Sequence, residues 1–279
     1  MTVTRGGALQ RFGVMVLALT TGLAIAYPVY WMLMASLQPE GRSLAQVTIV
    51  LPETLRFDAY RNIFLQRPIP AWLWNTFRVS AASSLAALTV SILAAYSLTR
   101  FHFSGKGALG FGILLAQLLP ASALIVPLFL IFRTYRLLDT LAAVGISYTS
   151  FTVPLAVWVL WGYLQAVPKD FEEAAMVDGC TQIAAFLRTT LPLSLPGVAA
   201  TALYAFLEAW NEYLLAFVLT SSPERWTVSV GLFGFINQYV VLPEQMMAAS
   251  LVATMPAVAV FLLLQQFMRE GLTLGGVTG

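Results

Sequence analysis

Charged residues are scarce in this sequence. They make up 10% of its 279 residues, against about 25% in a typical soluble domain, whereas 59% are hydrophobic and the mean hydropathy is +0.79. A chain so poor in charge cannot give a soluble globular fold a polar surface. The net charge of +2 forms no basic stripe, which excludes the usual basis of nucleic-acid binding. The composition therefore predicts a membrane protein.

Cysteine and histidine each occur once, as Cys180 and His102. A single cysteine excludes a disulfide within the chain and any cysteine-based metal cluster. A single histidine removes the usual zinc sites and histidine-dependent triads. Residues 104–107 (SGKG) lack the upstream glycine and the hydroxyl of a nucleotide-binding loop. We therefore predict no metal site, no catalytic residue and no ATP site in this chain.

Six apolar stretches are long enough to cross a bilayer as helices, which takes about 20 residues. We predict an all-α membrane protein with one domain over residues 1–279 and six transmembrane helices near 13–35, 72–98, 108–131, 141–165, 195–219 and 245–267. The first stretch also resembles a signal peptide, but its apolar run continues past Ala24-Ile25-Ala26, which favours a retained anchor. Prolines within the stretches predict kinks, and these require a packed bundle.

One segment is expected outside the membrane, and three tryptophans are expected at a membrane interface. Residues 37–70 contain four prolines and charges of both signs, a composition that cannot remain in lipid. Trp72, Trp74 and Trp226 are predicted to belong to an interfacial aromatic belt.

Residues 168–192 form a charged island between the fourth and fifth apolar stretches. The pattern predicts two short helices with a break between them. Asp170 should cap the first helix, with a glutamate three residues on completing a capping box, and Gly179 should end it. Thr181 should cap the second helix and Pro192 should terminate it.

The island resembles the Glu-Ala-Ala loop of permease subunits in ATP-binding-cassette (ABC) importers. That pattern is EAA, three residues, glycine, nine residues, an aliphatic residue, any residue and Leu-Pro. The matching residues are Glu173, Ala174, Ala175, Gly179, Leu191 and Pro192. The segments 100–106, 206–212 and 271–279 are similar to the maltose-type (MalG-like) carbohydrate uptake branch of this family.

The resemblance implies a type I ABC importer permease fold with a cytoplasmic helix-turn-helix coupling loop at 166–194. It implies a non-catalytic transport subunit whose partners are a second related permease, two copies of an ABC ATPase and an extracytoplasmic substrate-binding protein, with no nucleic acid. ATP and magnesium would be bound by the ATPase, so no cofactor is expected in this chain. The location implied is the cytoplasmic membrane of a bacterium or archaeon, with multiple spans and both termini cytoplasmic.

The first helix of this loop is predicted to contact the ATPase. The residues proposed for that contact are Phe171, Glu172, Glu173, Ala174, Ala175, Asp178 and Gly179. Helical spacing places four of them on one face, where the alanines permit close approach. Glu172 and Glu173 would present charge at the helix start, and an arginine of the ATPase is the natural partner of Glu173.

Glu208 and Glu212 lie four residues apart on one face of the fifth stretch, with Trp210 and Asn211 beside them. Ionisable groups inside a membrane are costly unless they are paired or wetted. They are therefore interpreted either as part of a translocation path that contacts sugar hydroxyls, or as groups that hold the fifth stretch to its neighbours or to a partner permease. Gln117 is a further polar candidate for the path.

The predicted function is an importer permease that moves a sugar or oligosaccharide into the cytoplasm by alternating access. One alternative keeps the importer and changes the cargo to a glycerol-phosphate ester, an amino sugar or an amino-acid derivative. A second alternative is an intramembrane enzyme that uses Glu208 and Glu212 as a carboxylate pair.

Overall fold

The computed structural model describes residues 6–39, 55–235 and 242–274, and among these it contains helices and loops but no strand. The longer helices are α1 (Gly6–Ser36), α2 (Asp58–Gln66), α3 (Ile69–Arg100), α4 (Lys106–Ala116), α5 (Ala121–Thr134), α6 (Leu141–Ala166), α7 (Asp170–Val177), α10 (Leu195–Asn211) and α13 (Pro243–Leu274). The described residues also form four short α-helices: α8 (Gln182–Ala185), α9 (Leu191–Leu193), α11 (Leu214–Leu219) and α12 (Val228–Phe233). The predicted outer segment 37–70 lies in part outside the described residues.

Four helical segments are each long and apolar enough to cross a membrane. They are Gln10–Ser36, Ile69–Arg100, Leu141–Ala166 and Pro243–Met268. Each agrees within three residues with a predicted span. Two bent helix pairs raise the number of spans to as many as six among the described residues. The predictions for the first, second, fourth and sixth spans therefore agree with the helices, whereas the third and fifth differ in shape.

The third predicted span is not one straight helix. Helices α4 and α5 meet at 91°, and Pro120 stands at the break with φ −67° and ψ 131°. Proline has no N–H to donate to the preceding turn, and its ring disfavours a helical residue before it. The proline kink expected in this span is therefore present as a full break, and the expectation of one continuous helix over 108–131 is wrong.

The fifth predicted span begins and ends differently from the expectation. Helix α10 follows the segment Gln182–Leu193 at 78°, and the chain breaks again between Asn211 and Leu214. The predicted continuous helix over 195–219 is therefore two helices, α10 and α11. The second break brings the backbone of Glu212 into an extended conformation.

Two compact units divide the described residues. The smaller unit holds the described parts of Met1–Ile69 and Gly234–Val252. Within it the hydroxyl groups of Ser36 and Tyr60 are 2.8 Å apart, and Ile63 of α2 is fully buried. Apolar side chains along α1 are mostly exposed, which suits a helix surrounded by lipid or by another subunit.

The larger unit holds the described parts of Pro70–Phe233 and Ala253–Gly279. Helix α3 buries one face of small side chains in this unit: Ser80, Ser83, Ala87, Ser91 and Ala95. Small residues at three- and four-residue spacing let neighbouring helix backbones approach closely. One core cluster joins α3, α5, α6, α10, α11 and α12 around Tyr148.

The N-terminal end of α3 holds the segment 220–231 through side chains. The Trp72 Nε1–H donates to the Pro223 carbonyl at 2.9 Å, and the Thr76 hydroxyl accepts from the Val228 N–H at 2.8 Å. Trp72 is 2% exposed, so its predicted place in an interfacial belt is wrong. A tryptophan can be buried in this way because the carbonyl satisfies its N–H.

Asp139 bonds the loop between α5 and α6 to the same segment, 220–231. Its carboxylate accepts from the N–H groups of Ser221 and Ser222 at 2.8 and 2.9 Å, and from the Ser222 hydroxyl at 2.5 Å. The hydroxyl and the two backbone donors hold the pKa of Asp139 below its usual value.

Candidate functional site

The Glu-Ala-Ala loop, residues 166–194, begins with helix α7. This helix starts at Asp170 itself, and Lys169 occupies the N-cap position without a side-chain bond, so the predicted capping box is wrong. Its end is as expected: Gly179 has φ +93°. The N–H of Gly179 donates to the Met176 carbonyl and that of Cys180 to the Ala175 carbonyl, each at 3.0 Å, which is the Schellman pattern.

The second helix of the loop begins at a side-chain cap. The Thr181 hydroxyl accepts from the Ala184 N–H at 3.3 Å, as predicted. The chain then forms α8, a π-helical turn at Phe186–Thr190, and α9. Pro192 lies inside α9 and the break falls at Ser194, so the predicted termination at Pro192 is wrong. A proline is tolerated in the first turn of a helix, where its missing N–H has no partner.

Most residues predicted to meet the ATPase lie at the surface of the loop. Phe171, Glu173, Ala174, Asp178 and Gly179 are exposed, and Ala175 is half-buried. Large apolar side chains are also exposed on both helices of the loop: Phe171, Met176, Val177, Ile183 and Leu187. Exposed apolar side chains of this kind suit a protein contact better than water.

Glu172 differs from its neighbours because its side chain is buried. It is 4% exposed, and its carboxylate forms an ion pair with Arg100 at 2.8 Å, measured from Nε to Oε1. The prediction that Glu172 presents charge to a partner at the helix start therefore does not fit the structure. The sequence interpretation missed Arg100 as its partner because 72 residues separate the pair and no local spacing connects them.

A cavity of about 520 Å³ lies among α4, α5, α6 and α10. It brings together three of the predicted path residues, Gln117, Glu208 and Glu212. Further polar lining comes from α6, through Tyr148, Ser150 and Thr152. The bend between α4 and α5 supplies much of the apolar wall, so the break at Pro120 helps to form the cavity.

The two carboxylates in this cavity are in different environments. The Glu212 carboxylate accepts from the N–H groups of Leu215 at 2.8 Å and Ala216 at 3.2 Å, so it caps the start of α11. Glu208 is exposed and accepts no hydrogen bond from the part of the chain that the structure describes. Of the two groups, Glu208 is the one available to a ligand.

Trp210 and Asn211 do not line this cavity. The Trp210 ring is 4% exposed, stacks on Phe206 at 5.5 Å between centroids, and donates from Nε1 to the Ala253 carbonyl at 3.2 Å. Asn211 is exposed, and its amide donates to the Leu207 carbonyl of its own helix at 2.7 Å. The contacts of Trp210 favour the packing interpretation, whereas the bond of Asn211 stays within its own helix.

A protein family with a matching sequence pattern covers most of the helices described above. The family described as the binding-protein-dependent transport system inner membrane component matches residues 87–273, which include the loop and both cavity carboxylates. The chain belongs to this family. It is therefore a transport permease that passes several times through the inner membrane, and the resemblance found at the Glu-Ala-Ala loop is confirmed.

Several relatives of this permease match over nearly their whole length. The inner membrane ABC transporter permease protein YcjP of Escherichia coli strain K12 is 34% identical over 255 residues, 91% of each chain. The trehalose transport system permease protein SugB of Mycobacterium tuberculosis is 33% identical, with 94% of this chain and 95% of the relative covered. The trehalose/maltose transport system permease protein MalG of Thermococcus litoralis is 30% identical, with 99% of both covered.

A solved structure shares the fold of this permease. It is the crystal structure of a bacterial ABC transporter involved in the import of the acidic polysaccharide alginate, with a TM-score of 0.78. The match covers 95% of this chain and 99% of that chain, at 22% identity. The predicted importer permease fold is thereby confirmed. The relatives are permease subunits, so the prediction of a non-catalytic subunit holds and the intramembrane-enzyme alternative is set aside.

Proposed function

We propose that this permease moves a sugar or oligosaccharide into the cytoplasm, driven by a separate ABC ATPase that docks on the Glu-Ala-Ala loop. The observation that carries the coupling part is the exposed surface of that loop, with Glu173 and five apolar side chains outward and a helix stop at Gly179. Relatives named for trehalose, diacetylchitobiose and galactooligosaccharides support a sugar as cargo.

The proposed assembly contains a second related permease, two ATPase copies and an extracytoplasmic binding protein. ATP and magnesium would be held by the ATPase, which closes, draws the loop inward and rocks the spans to open the path outward. Both termini would be cytoplasmic, on the same side as the loop. A structural neighbour described as an alginate ABC transporter in complex with a pentasaccharide-bound periplasmic protein supports the binding-protein partner.

Assembly provides the direct test of this function. The permease should co-purify with an ATPase and a second permease when all subunits are co-expressed, and ATP hydrolysis should rise when the loaded binding protein is added. We expect transport into proteoliposomes only with the full set of subunits. Sugar uptake by vesicles that contain this permease alone would contradict the proposal.

The cavity supports a role for Glu208 in the path. Its carboxylate is free to accept hydrogen bonds from sugar hydroxyls, and charge-assisted bonds of this kind contribute about 1.5–3 kcal/mol. We expect Glu208→Gln to slow transport by roughly tenfold in an assembled complex, since 1.4 kcal/mol corresponds to a factor of ten.

Asn211→Ala supplies the comparison for this variant, because Asn211 lies on the same helix outside the cavity. Initial uptake of labelled sugar should fall less for Asn211→Ala than for Glu208→Gln. Equal uptake by the Glu208 variant and the unmodified permease would assign the carboxylate to helix packing instead.

A further inference from the structure

One buried carboxylate accepts hydrogen bonds from three side chains that belong to two other parts of the chain. Glu172 of α7 accepts from the Arg100 Nε–H at 2.8 Å, from the Thr190 hydroxyl, and from the Tyr96 hydroxyl at 3.4 Å. Arg100 and Tyr96 belong to α3, and Thr190 ends the π-helical turn of the loop. A single side chain thus connects the first helix of the loop to the second and to the end of a membrane-spanning helix.

Arg100 extends this connection to a fourth segment. Its two terminal NH groups donate to the Val167 carbonyl at 3.3 and 3.4 Å, where α6 ends, and one of them also reaches the Thr190 hydroxyl at 3.3 Å. The planar fork of a guanidinium suits several acceptors at once, whereas a lysine ammonium is a point charge on a flexible stem. The end of α3 is therefore bonded to the end of α6 and to both helices of the loop.

Water has little access to this ion pair. The side chains of Arg100 and Glu172 are 6% and 5% exposed. Beside them the centroids of the Tyr96 and Phe186 rings are 4.4 Å apart. These rings pack next to the buried Leu160 and Leu164 of α6. A dry ion pair resists separation because neither charge can recover its hydration when the contact opens. The four segments should accordingly move together.

Adjacent glutamates therefore have opposite environments. Glu173 is exposed on the surface proposed to meet the ATPase, and Glu172 is bonded inside the permease. We propose that Arg100 and Glu172 are positioning residues for coupling: they lock α7 to the ends of α3 and α6, so that a displacement of the loop is passed to the spans. This inference rests on the proposed function, since it requires an ATPase that moves the loop.

The double variant Arg100→Gln/Glu172→Gln tests this role without leaving a lone buried charge. Glutamine retains hydrogen-bonding groups at both positions but removes the ionic attraction, whereas either single variant leaves one charge unpaired. The measurements are sugar uptake and binding-protein-stimulated ATP hydrolysis in the same proteoliposomes, each divided by the amount of assembled complex. Lys106→Gln serves as the control, because it removes a positive charge six residues beyond Arg100 at the start of α4.

We expect ATP hydrolysis by the double variant to persist while sugar uptake per ATP falls about tenfold or more, the factor that corresponds to one charge-assisted contact. Lys106→Gln should show the same sugar uptake per ATP as the unmodified permease. A double variant whose sugar uptake per ATP equals that of the unmodified permease would overturn the inference. Failure of the double variant to assemble would overturn it as well, because the pair would then be a requirement for folding and not for coupling.

The docking of the ATPase is measured separately in this experiment. Loss of uptake per ATP with normal co-purification supports the positioning role. A complex in which even the unmodified permease does not bind an ATPase contradicts the proposed function itself, so the two failures are distinguishable.

Discussion

Glu173→Lys is expected to reduce transport and binding-protein-stimulated ATP hydrolysis roughly ten- to hundredfold, while the permease still inserts and assembles with the second permease. Glu173 is exposed at the start of α7, beside the buried Glu172, and reversal of its charge places a cation against the arginine proposed on the ATPase. A charge-assisted contact contributes about 1.5–3 kcal/mol, which sets the size of the effect. Hydrolysis and uptake in reconstituted vesicles measure it.

A compensating substitution on the ATPase is the control for this prediction. An acidic substitution of the partner arginine should restore activity to Glu173→Lys, because it re-forms an ion pair with the signs exchanged. It should not restore a variant whose loop backbone is altered. Unchanged transport by Glu173→Lys in an assembled complex would leave the loop as a simple connection between helices, and the coupling proposal would lose its main support.

Much of the helical layout was predictable because hydrophobic length is a local property. The spans at 69–100, 141–166 and 243–268 follow from runs of apolar residues that a bilayer requires. The stop at Gly179 and the cap at Thr181 were also predictable, because each depends on a residue type with a specific backbone preference.

The sequence predicts a bend at each proline but not how large that bend is. Helix α6 contains Pro154 and continues as a helix, whereas the chain at Pro120 turns by 91°. The choice depends on whether neighbouring helices satisfy the freed carbonyls, which is a tertiary property. The polar residues Gln117, Glu208 and Glu212 were expected to share a path, but the apolar wall that the break adds to their cavity depends on the same tertiary property.

Contacts between residues that are far apart in the sequence also could not be predicted from local sequence patterns. Glu172 and Glu173 are chemically identical neighbours, and only the packing of α7 against the end of α3 buries one and exposes the other. Trp72 shows the same limit, since a tryptophan near the end of a span suits both an interfacial belt and a buried contact. The Pro223 carbonyl, 151 residues away, decides between them.

Gly231→Ala is expected to destabilise the permease by about 1–3 kcal/mol, the usual cost of overpacking a core. A Cβ at position 231 would lie 2.1 Å from Cε3 of Trp72 and 2.5 Å from its Cδ2. The ring cannot move aside cheaply, because it is 2% exposed and its Nε1–H is bonded to the Pro223 carbonyl. Thermal unfolding of the purified complex should show a lower midpoint for this variant.

Gly162→Ala is the matched control, since a Cβ there has no heavy atom within 4 Å and the residue lies inside α6. This change should stabilise the protein by about 0.5–1 kcal/mol, because alanine loses less backbone freedom than glycine in a helix. A steric origin for the Gly231 effect is tested by adding Trp72→Phe, whose smaller ring makes room for the methyl group. The double variant should then be less destabilised than the sum of the two single changes, because residues in contact are not additive. Additive losses would place the cause elsewhere than the contact between Gly231 and Trp72.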